Sequence, residues 1–405
     1  MSGMFSLLAL LAFVCWVGHA CIWTSILNNL YGRPLPKGLL KWWRHMTALI
    51  LLAFPLILWS ALKPDFADYS FDNNLLNGTW GKSVLAYGAI CFVFGAVVFP
   101  FVTIKRFIQK SPISLVVEQT RTLDLWSELG AKLIGDNRLA AFTRLPGNGV
   151  FNVDITELTL ALADMPPEWD GLTLLVVSDM HFHGTPSRTF FDRIIEELLT
   201  GSPPDLVCLI GDYIDSDTHH EWIQPILGRL RANEAKLAIL GNHDLLHNPE
   251  RVRQELVAAG YTVVGNGWQE IVVRGVVCVA IGHEGPWFKP GPDLSAAPSG
   301  LFRLCLSHTP DNFYWGQANK VGLMLCGHVH GGAIRVPLIG PIFVPSVYGR
   351  RFDSGVFEEK GTTMVVSRGL SGKEPLRIRC NPQVIRLTLS ARAPNPFPAA
   401  RGVRG

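Results

Sequence analysis

The sequence predicts an α/β domain preceded by three membrane-crossing helices. Two features point there. Residues 1–110 contain three long runs without charge, and from Phe151 onward short apolar runs alternate with helix-like segments. The bulk composition agrees, since a mean hydropathy of +0.24 with 17% charged residues is unusual for a wholly soluble chain. The length of 405 residues allows one large domain plus additional segments. A formal net charge of +3 is too small to argue for a nucleic-acid partner.

The uncharged runs are Phe5–Trp23, Met46–Leu62 and Val84–Ile104. The middle run is short and carries Pro55. The first lacks a basic leader, because Met1–Phe5 contains no Lys or Arg, and Gly18 stands where a lipoprotein site before Cys21 usually has Leu. A retained helix is expected there, with a cleaved signal peptide as the alternative. The first loop holds Arg33, Lys37, Lys41 and Arg44 without an acid, whereas the second sets Lys63 and Lys82 against Asp65, Asp68 and Asp72. Lys105, Arg106 and Lys110 follow the third run. Basic loops stay on the cytoplasmic side, so the expectation is a multi-pass inner-membrane protein with its remaining chain in the cytoplasm and membrane lipids around its spans. The eight cysteines show no CxxC pair and fall mostly in apolar runs, as small buried hydrophobes in a reducing compartment would.

Residues 111–149 are expected to form a juxtamembrane linker, partly helical. Leu123–Phe142 suits an amphipathic helix, either lying on the membrane or serving as a plain connector. The turn cluster Leu145-Pro146-Gly147-Asn148-Gly149 marks a boundary, and the domain proper is expected over 150–390. Its buried strands are expected at Leu172–Ser178, Leu206–Ile210, Lys236–Leu240, Phe302–Ser307 and Leu323–Cys326. Helices are expected at Ser187–Leu199 and Pro249–Ala259. The tail 391–405, rich in Pro, Ala and Arg, has the composition of a disordered segment.

The informative residues follow the strands. The first apolar run ends in Asp179-Met180-His181, the second in Gly211-Asp212-Tyr213-Ile214-Asp215 and the third in Gly241-Asn242-His243-Asp244. The fourth ends in His308, and the fifth in Gly327-His328-Val329-His330. In open α/β sheets, ligands bind beyond the carboxyl ends of the strands. Carboxylate, imidazole and amide oxygen together suit Mn, Fe or Zn. So many ligands exceed the needs of one ion, but two divalent ions about 3.5–4 Å apart and sharing a carboxylate would use them all. Asp-x-His and Gly-Asp alone are commonplace as a cap or turn, Gly-Asn-His-Asp is less so, and Gly-His-x-His after a strand is a stronger signal; the ordered set is not commonplace. Most other histidines do not share the pattern. His183 lies nearby, His283 could border the site, and His219, His220 and His247 read as solvated loop residues.

The ordered set resembles that of the calcineurin-like metallophosphoesterases. The run from Gly327-His328-Val329-His330-Gly331-Gly332 through Tyr348-Gly349-Arg350 to Val366-Ser367-Arg368-Gly369 is similar to the bacterial membrane-associated phosphodiesterase branch. The resemblance implies a four-layer α/β/β/α sandwich. It implies one metal held by Asp179, His181, Asp212 and His330, and another by Asp212, Asn242, His308 and His328. His243 would face the phosphoryl group, oriented by Asp215. Ser216 stands where the phosphoprotein phosphatases of this superfamily carry Arg, which argues against a phosphoprotein substrate.

The chemistry expected is hydrolysis of a phosphomonoester or phosphodiester by a metal-bridging hydroxide, with His243 as proton donor to the leaving oxygen. The anchor and the aromatics Trp287, Phe288, Phe313, Tyr314 and Trp315 favour a lipid-linked substrate, although core packing also accounts for those rings. A pyrophosphate hydrolase of a nucleotide-linked lipid such as UDP-diacylglucosamine is the alternative enzyme, and a non-catalytic membrane scaffold the alternative of another class. No protein partner is implied.

Overall fold

The computed structural model describes residues 2–62, 79–136 and 138–391. Most of the second loop and all but the first residue of the tail lie outside the described residues. The chain divides into two compact units, Met1–Gln109 and Lys110–Gly405.

The first unit is helical. Its helices run Ser2–Tyr31, Lys37–Leu62 and Thr79–Val93, the last passing through a π-helical turn, Phe94–Val98, into Phe99–Ile108. Pro100 lacks the amide that would close the preceding turn, which accounts for the widened stretch before it. Among the described residues, two helices are long and apolar enough to cross a membrane, Ser6–Tyr31 and Lys82–Ile108. The middle expected run, Met46–Leu62, lies in the helix Lys37–Leu62, which is not one of these and carries Lys37, Lys41, Arg44 and Pro55. Helices pack closely where small residues face each other: a Cβ on Gly18 would overlap the Cys91 carbonyl, and one on Gly95 would overlap that of Val14. His19 ties three helices together, its Nδ1 lying 2.7 Å from Tyr87 Oη and its Nε2 3.2 Å from the Ile50 carbonyl.

The second unit contains strands β1 (Leu115–Asp124), β2 (Asn152–Leu160), β3 (Thr173–Val177), β4 (Leu206–Leu209), β5 (Ala235–Ala238), β6 (Thr262–Val263), β7 (Gly267–Val273) and β8 (Val276–His283). They continue as β9 (Arg303–Ser307), β10 (Leu323–Cys326), β11 (Arg335–Val336), β12 (Gly340–Pro341), β13 (Gly355–Glu359), β14 (Thr362–Val366) and β15 (Gln383–Leu389). One sheet has the order β1-β2-β15-β3-β4-β5-β6, the other β13-β14-β10-β9-β8-β7, and β11-β12 form a small hairpin. All five strands expected to deliver ligands are present: β3, β4 and β5 lie side by side and parallel in the first sheet, and β9 and β10 in the second.

Alternation along these strands sorts side chains into separate cores. Leu174, Val176, Leu206 and Cys208 of the first sheet pack with Leu304, Leu306, Leu323 and Leu325 of the second. Leu175, Val177, Val207 and Leu209 face the other way, onto Phe190, Ile194, Leu198, Val252 and Leu256 of the helices Arg188–Leu198 and Pro249–Ala258. Cys305, Met324 and Cys326 face a third cluster with Phe313 and Phe352. All eight cysteines are free.

Two expectations need correction. Leu123–Phe142 does not form one amphipathic helix. Val116, Val117, Thr120 and Thr122 favour an extended chain, and that stretch is β1, paired antiparallel with β2 from Leu115↔Leu160 to Asp124↔Asn152. Asp124 then caps a single turn, Leu125–Leu129, by accepting from the Ser127 amide at 3.0 Å, and Gly130, at φ +56, ends it. The segment expected as a juxtamembrane linker therefore supplies the edge of the first sheet. In the same sheet β15 lies between β2 and β3, parallel to the first and antiparallel to the second.

Candidate metal centre

Where β3, β4 and β10 end, the chain turns sharply. Asp179 (φ 53), His181 (φ 45), Asp212 (φ 57), His328 (φ 70) and His330 (φ 51) all adopt the left-handed conformation. Each such residue costs on the order of 1–3 kcal/mol, and persists only where its surroundings impose it. Here they do. The Asp179 and His181 amides donate to the carbonyls of Gly211 and Asp212, both at 3.0 Å. The His328 amide donates to Asp179 Oδ1 at 3.0 Å, and the Ser371 amide to the Asp179 carbonyl at 2.8 Å. Two glycines give the side chains room. A Cβ on Gly241 would overlap Asp212 Oδ1 and stand 2.5 Å from His308 Cε1, and one on Gly327 would stand 2.5 Å from Asp179 Oδ2.

The expected ligands converge in two groups. Asp179, His181 and His330 bring ligand atoms within 4.8 Å of one another, and so do Asp212, His308 and His328. Asp212 stands between the groups: its Oδ2 lies 3.6 Å from His181 Nε2 and 3.4 Å from His308 Nε2. Asn242 joins the second group, with Oδ1 3.0 Å from His308 Nε2. The far ring nitrogens are held. His308 Nδ1 bonds the Ile210 carbonyl at 2.8 Å, and His181 Nδ1 bonds Asp215 Oδ2 at 3.0 Å. An Nδ1–H donor leaves the Nε2 lone pair aimed inward, as for a metal-ligating imidazole.

The donor set fits cations. His181 Nε2, Asp212 Oδ2 and His328 Nε2 are buried without a hydrogen-bond partner. Leaving such an atom unsatisfied costs about 1–3 kcal/mol, and the three belong to one cluster of opposed lone pairs. Electrostatics point the same way. Burial disfavours a charged His181 ring, but Asp215, Asp212 and Asp179 outweigh it and raise its pKa to about 9. For His308 burial is likewise outweighed, by Asp212 and Asp179, and the pKa again rises to about 9. Burial and neighbouring cationic groups push His328 and His330 well down. The carboxylates thus favour positive charge in a pocket where two rings remain neutral donors.

His243 adjoins the ligand groups: its amide donates to Asp212 Oδ1 at 2.8 Å, and its ring forms a third close cluster with His181 and Asp215. Its Nδ1 makes a short contact with Asp215 Oδ1, and its ring stands edge-on to His181 with centroids 4.6 Å apart. Burial opposes a charge on Asp215, yet the His181 and His243 rings hold its carboxyl well below the usual range. One carboxylate therefore serves both imidazoles.

Several supporting residues escaped the sequence reading. Asp244 accepts from the amides of Gly241, Asp212, Tyr213 and Ile214 at 2.8–3.3 Å, fastening the β4 and β5 turns together. Its place in Gly241-Asn242-His243-Asp244 was the available signal. Glu284 is fully buried; it accepts from the Leu240 amide at 2.8 Å and forms a two-point pair with Arg253 at 3.1 and 2.6 Å. The buried guanidinium of Arg377 donates to the carbonyls of His330 (3.0 Å), Arg368 (2.9 Å) and Ser371. No local pattern marks either residue.

Of the aromatics, Phe313 is core, whereas Trp287 is half-buried against the ligand rings, 4.6 Å from His328 and 5.7 Å from His308 between centroids. His183 bonds the Gly372 carbonyl at 3.0 Å, outside the ligand groups. His283 packs on Trp315 and borders a recess of about 640 Å³ shared with Phe288, Lys289 and Asn312. Among the three expected solvated rings, His220 is buried and His219 packs edge-on to Trp222, while His247 pairs with Asp217 at 3.0 Å. His220 is the correction: the turn Asp217–Trp222 folds its ring inward.

The family described as calcineurin-like phosphoesterase matches residues 172–332. The uncharacterized metallophosphoesterase YkuE of Bacillus subtilis (strain 168) is 33% identical over 248 residues, covering 59% of this chain and 86% of its own. The phosphodiesterase YaeI of Escherichia coli (strain K12) is 32% identical over 225 residues, covering 53% of this chain and 81% of its own. A Bos taurus transmembrane protein with metallophosphoesterase domain is 26% identical over 272 residues, covering 58% of this chain and 57% of its own. The chain therefore belongs to the calcineurin-like phosphoesterase family and is a metal-dependent hydrolase of phosphate esters.

Proposed function

We propose that this protein is a membrane-anchored phosphoesterase with a dinuclear centre, acting on a phosphodiester or phosphomonoester. The observation that carries this reading is Asp212 Oδ2, buried, unpartnered, and facing His181 of one ligand group and His308 of the other. Asp179, His181, Asp212 and His330 would hold one divalent ion, and Asp212, Asn242, His308 and His328 the second, with Mn, Fe or Zn suited to the donors. Two such ions would supply a nucleophilic water at neutral pH and neutralise phosphoryl oxygens.

The chain's own groups do the rest. Asp215 holds Nδ1 of His243, which turns the opposite nitrogen to the leaving oxygen as the proton donor. Asp215 also fixes the tautomer of His181. Asp244 and Glu284 keep the β4 and β5 turns at their spacing. We take residues 150–390, with β1 as an added edge, as the four-layer sandwich that the resemblance implies. Three spans, with the catalytic unit on the cytoplasmic side, remain our reading of the anchor, supported by Arg33, Lys37, Lys41 and Arg44 in the first loop.

A nucleotide-linked lipid cleaved at its pyrophosphate is the second reading. The half-buried Trp287 ring beside His308 and His328 offers a surface on which a base could stack. The scaffold reading is disfavoured because all seven ligand residues converge. The test is metal analysis of the purified full-length chain with turnover of mono- and di-p-nitrophenyl phosphates and of candidate nucleotide-lipids. About two ions per chain, with activity lost on chelation, supports the dinuclear reading. Full activity in a metal-free preparation would overturn it.

A further inference from the structure

We infer that the β11–β12 hairpin docks on the surface of a phospholipid bilayer. The hairpin grows directly out of the ligand loop, since Gly331 and Gly332 follow His330. It is tied back to that loop, with Arg335 Nη1 donating to the Gly331 carbonyl at 3.1 Å. A Cβ on Gly332 would overlap Pro341, so the base of the hairpin is closely packed. Its tip is the opposite. Leu338 is 79% exposed, the most exposed large apolar side chain among the described residues, and Ile334 at 43%, Ile342 at 44% and Phe343 at 37% are exposed toward the hairpin's base. Exposed apolar side chains gathered on one hairpin mark an interaction site.

Charge and chain content select the occupant. Ala333–Arg351 contains three arginines and no Asp or Glu, so the hairpin itself sets no negative charge against headgroups. Arg335 and Arg351 are paired with Asp353 and Glu359, at 2.8 and 3.5 Å. Tyr348, 37% exposed, adds an aromatic of the kind enriched at membrane interfaces. The same chain carries two helices long and apolar enough to cross a membrane, so a bilayer surface is present wherever it is anchored. An exposed apolar tip, free of acidic residues and followed in the chain by an exposed aromatic, is the pattern of a segment seated at the headgroup boundary. Docking there would bring the loop of His328 and His330 next to the headgroup layer. That consequence rests on the proposed activity; the docking does not.

The experiment places a photo-crosslinking p-benzoylphenylalanine at Leu338 in the full-length chain, reconstituted in nanodiscs of phosphatidylcholine with phosphatidylglycerol. A matched label at Val272, exposed on β7, is the control. Lipid adducts at position 338 roughly tenfold above those at 272, and fewer in discs of phosphatidylcholine alone, are the expected result. Hydrolysis of a soluble p-nitrophenyl ester should be unchanged, which reports folding separately. Crosslinks to a second copy, crosslinks within the chain, or adducts no more frequent than at Val272 would each overturn the docking. A chain that does not enter the discs at all would overturn the anchor and the docking together, while leaving the hydrolase reading to its own assay.

Discussion

Asp215 Oδ2 accepts a hydrogen bond from His181 Nδ1 at 3.0 Å while Oδ1 contacts His243 Nδ1, so one carboxylate holds both His243 and a ring of the first proposed ligand group. Replacing it touches both roles. Asp215→Asn should slow turnover and also weaken metal binding by about 10–100-fold, the usual cost of losing a group that orients a ligand. Metal titration beside kcat would show it. A variant slow in turnover but with unaltered metal affinity would restrict Asp215 to His243.

His243 itself belongs to neither ligand group as we assign them. His243→Ala should keep its metal while slowing turnover by about 10²–10⁴-fold, the range for a lost general acid. The loss should shrink with p-nitrophenol, which leaves with little protonation. His328→Ala should instead lose metal and activity together. Equal losses for poor and good leaving groups in His243→Ala would point to phosphate binding in place of proton donation.

Gly241 has no side chain because there is no space for one. A Cβ there meets Asp212 Oδ1 and His308 Cε1, so Gly241→Ala should displace the shared carboxylate and lower occupancy of both metal positions while the fold persists. Metal content and circular dichroism, measured together, separate this outcome from simple unfolding. Unchanged metal content would show that the turn can yield.

His283 gives a pH test at a ring outside the two ligand groups, although its carbonyl accepts from the His308 amide at 3.1 Å. Burial lowers its pKa to about 4, against about 6.5 for an unperturbed imidazole. Between those values the unfolded chain binds the extra proton, so stability falls as pH falls through the window. From pH 7 to pH 5 the native chain should lose about 2 kcal/mol that His283→Gln does not lose. Nearby Asp311, raised by burial to about 6, has the opposite slope below that pH but is common to both proteins. Parallel unfolding curves at the two pH values would refute a buried neutral His283.

The strands that end in the proposed ligands, and the residues at those ends, were legible in the sequence alone. Leu172–Ser178, Leu206–Ile210 and Leu323–Cys326 are apolar because both faces of β3, β4 and β10 are buried, and the polar residues that follow stand out against that background. Tertiary structure decided what depends on distant pairing. Val116–Thr122 looks like part of a linker until β2 supplies its hydrogen bonds, and nothing local to Gln383–Leu389 tells it to enter between β2 and β3. That insertion brings the chain around Gly369 and Arg377 against Asp179 and His330, where Arg377 gives up water for three carbonyls. Glu284 became a support for the Asn242 turn only when the second sheet brought it beside the Leu240 amide. Exposure was equally hidden: Leu338 and Leu325 are the same residue type, and only packing leaves one in solvent and the other in the core. Local composition fixes which side chains are available, whereas burial and long-range register decide which of them meet.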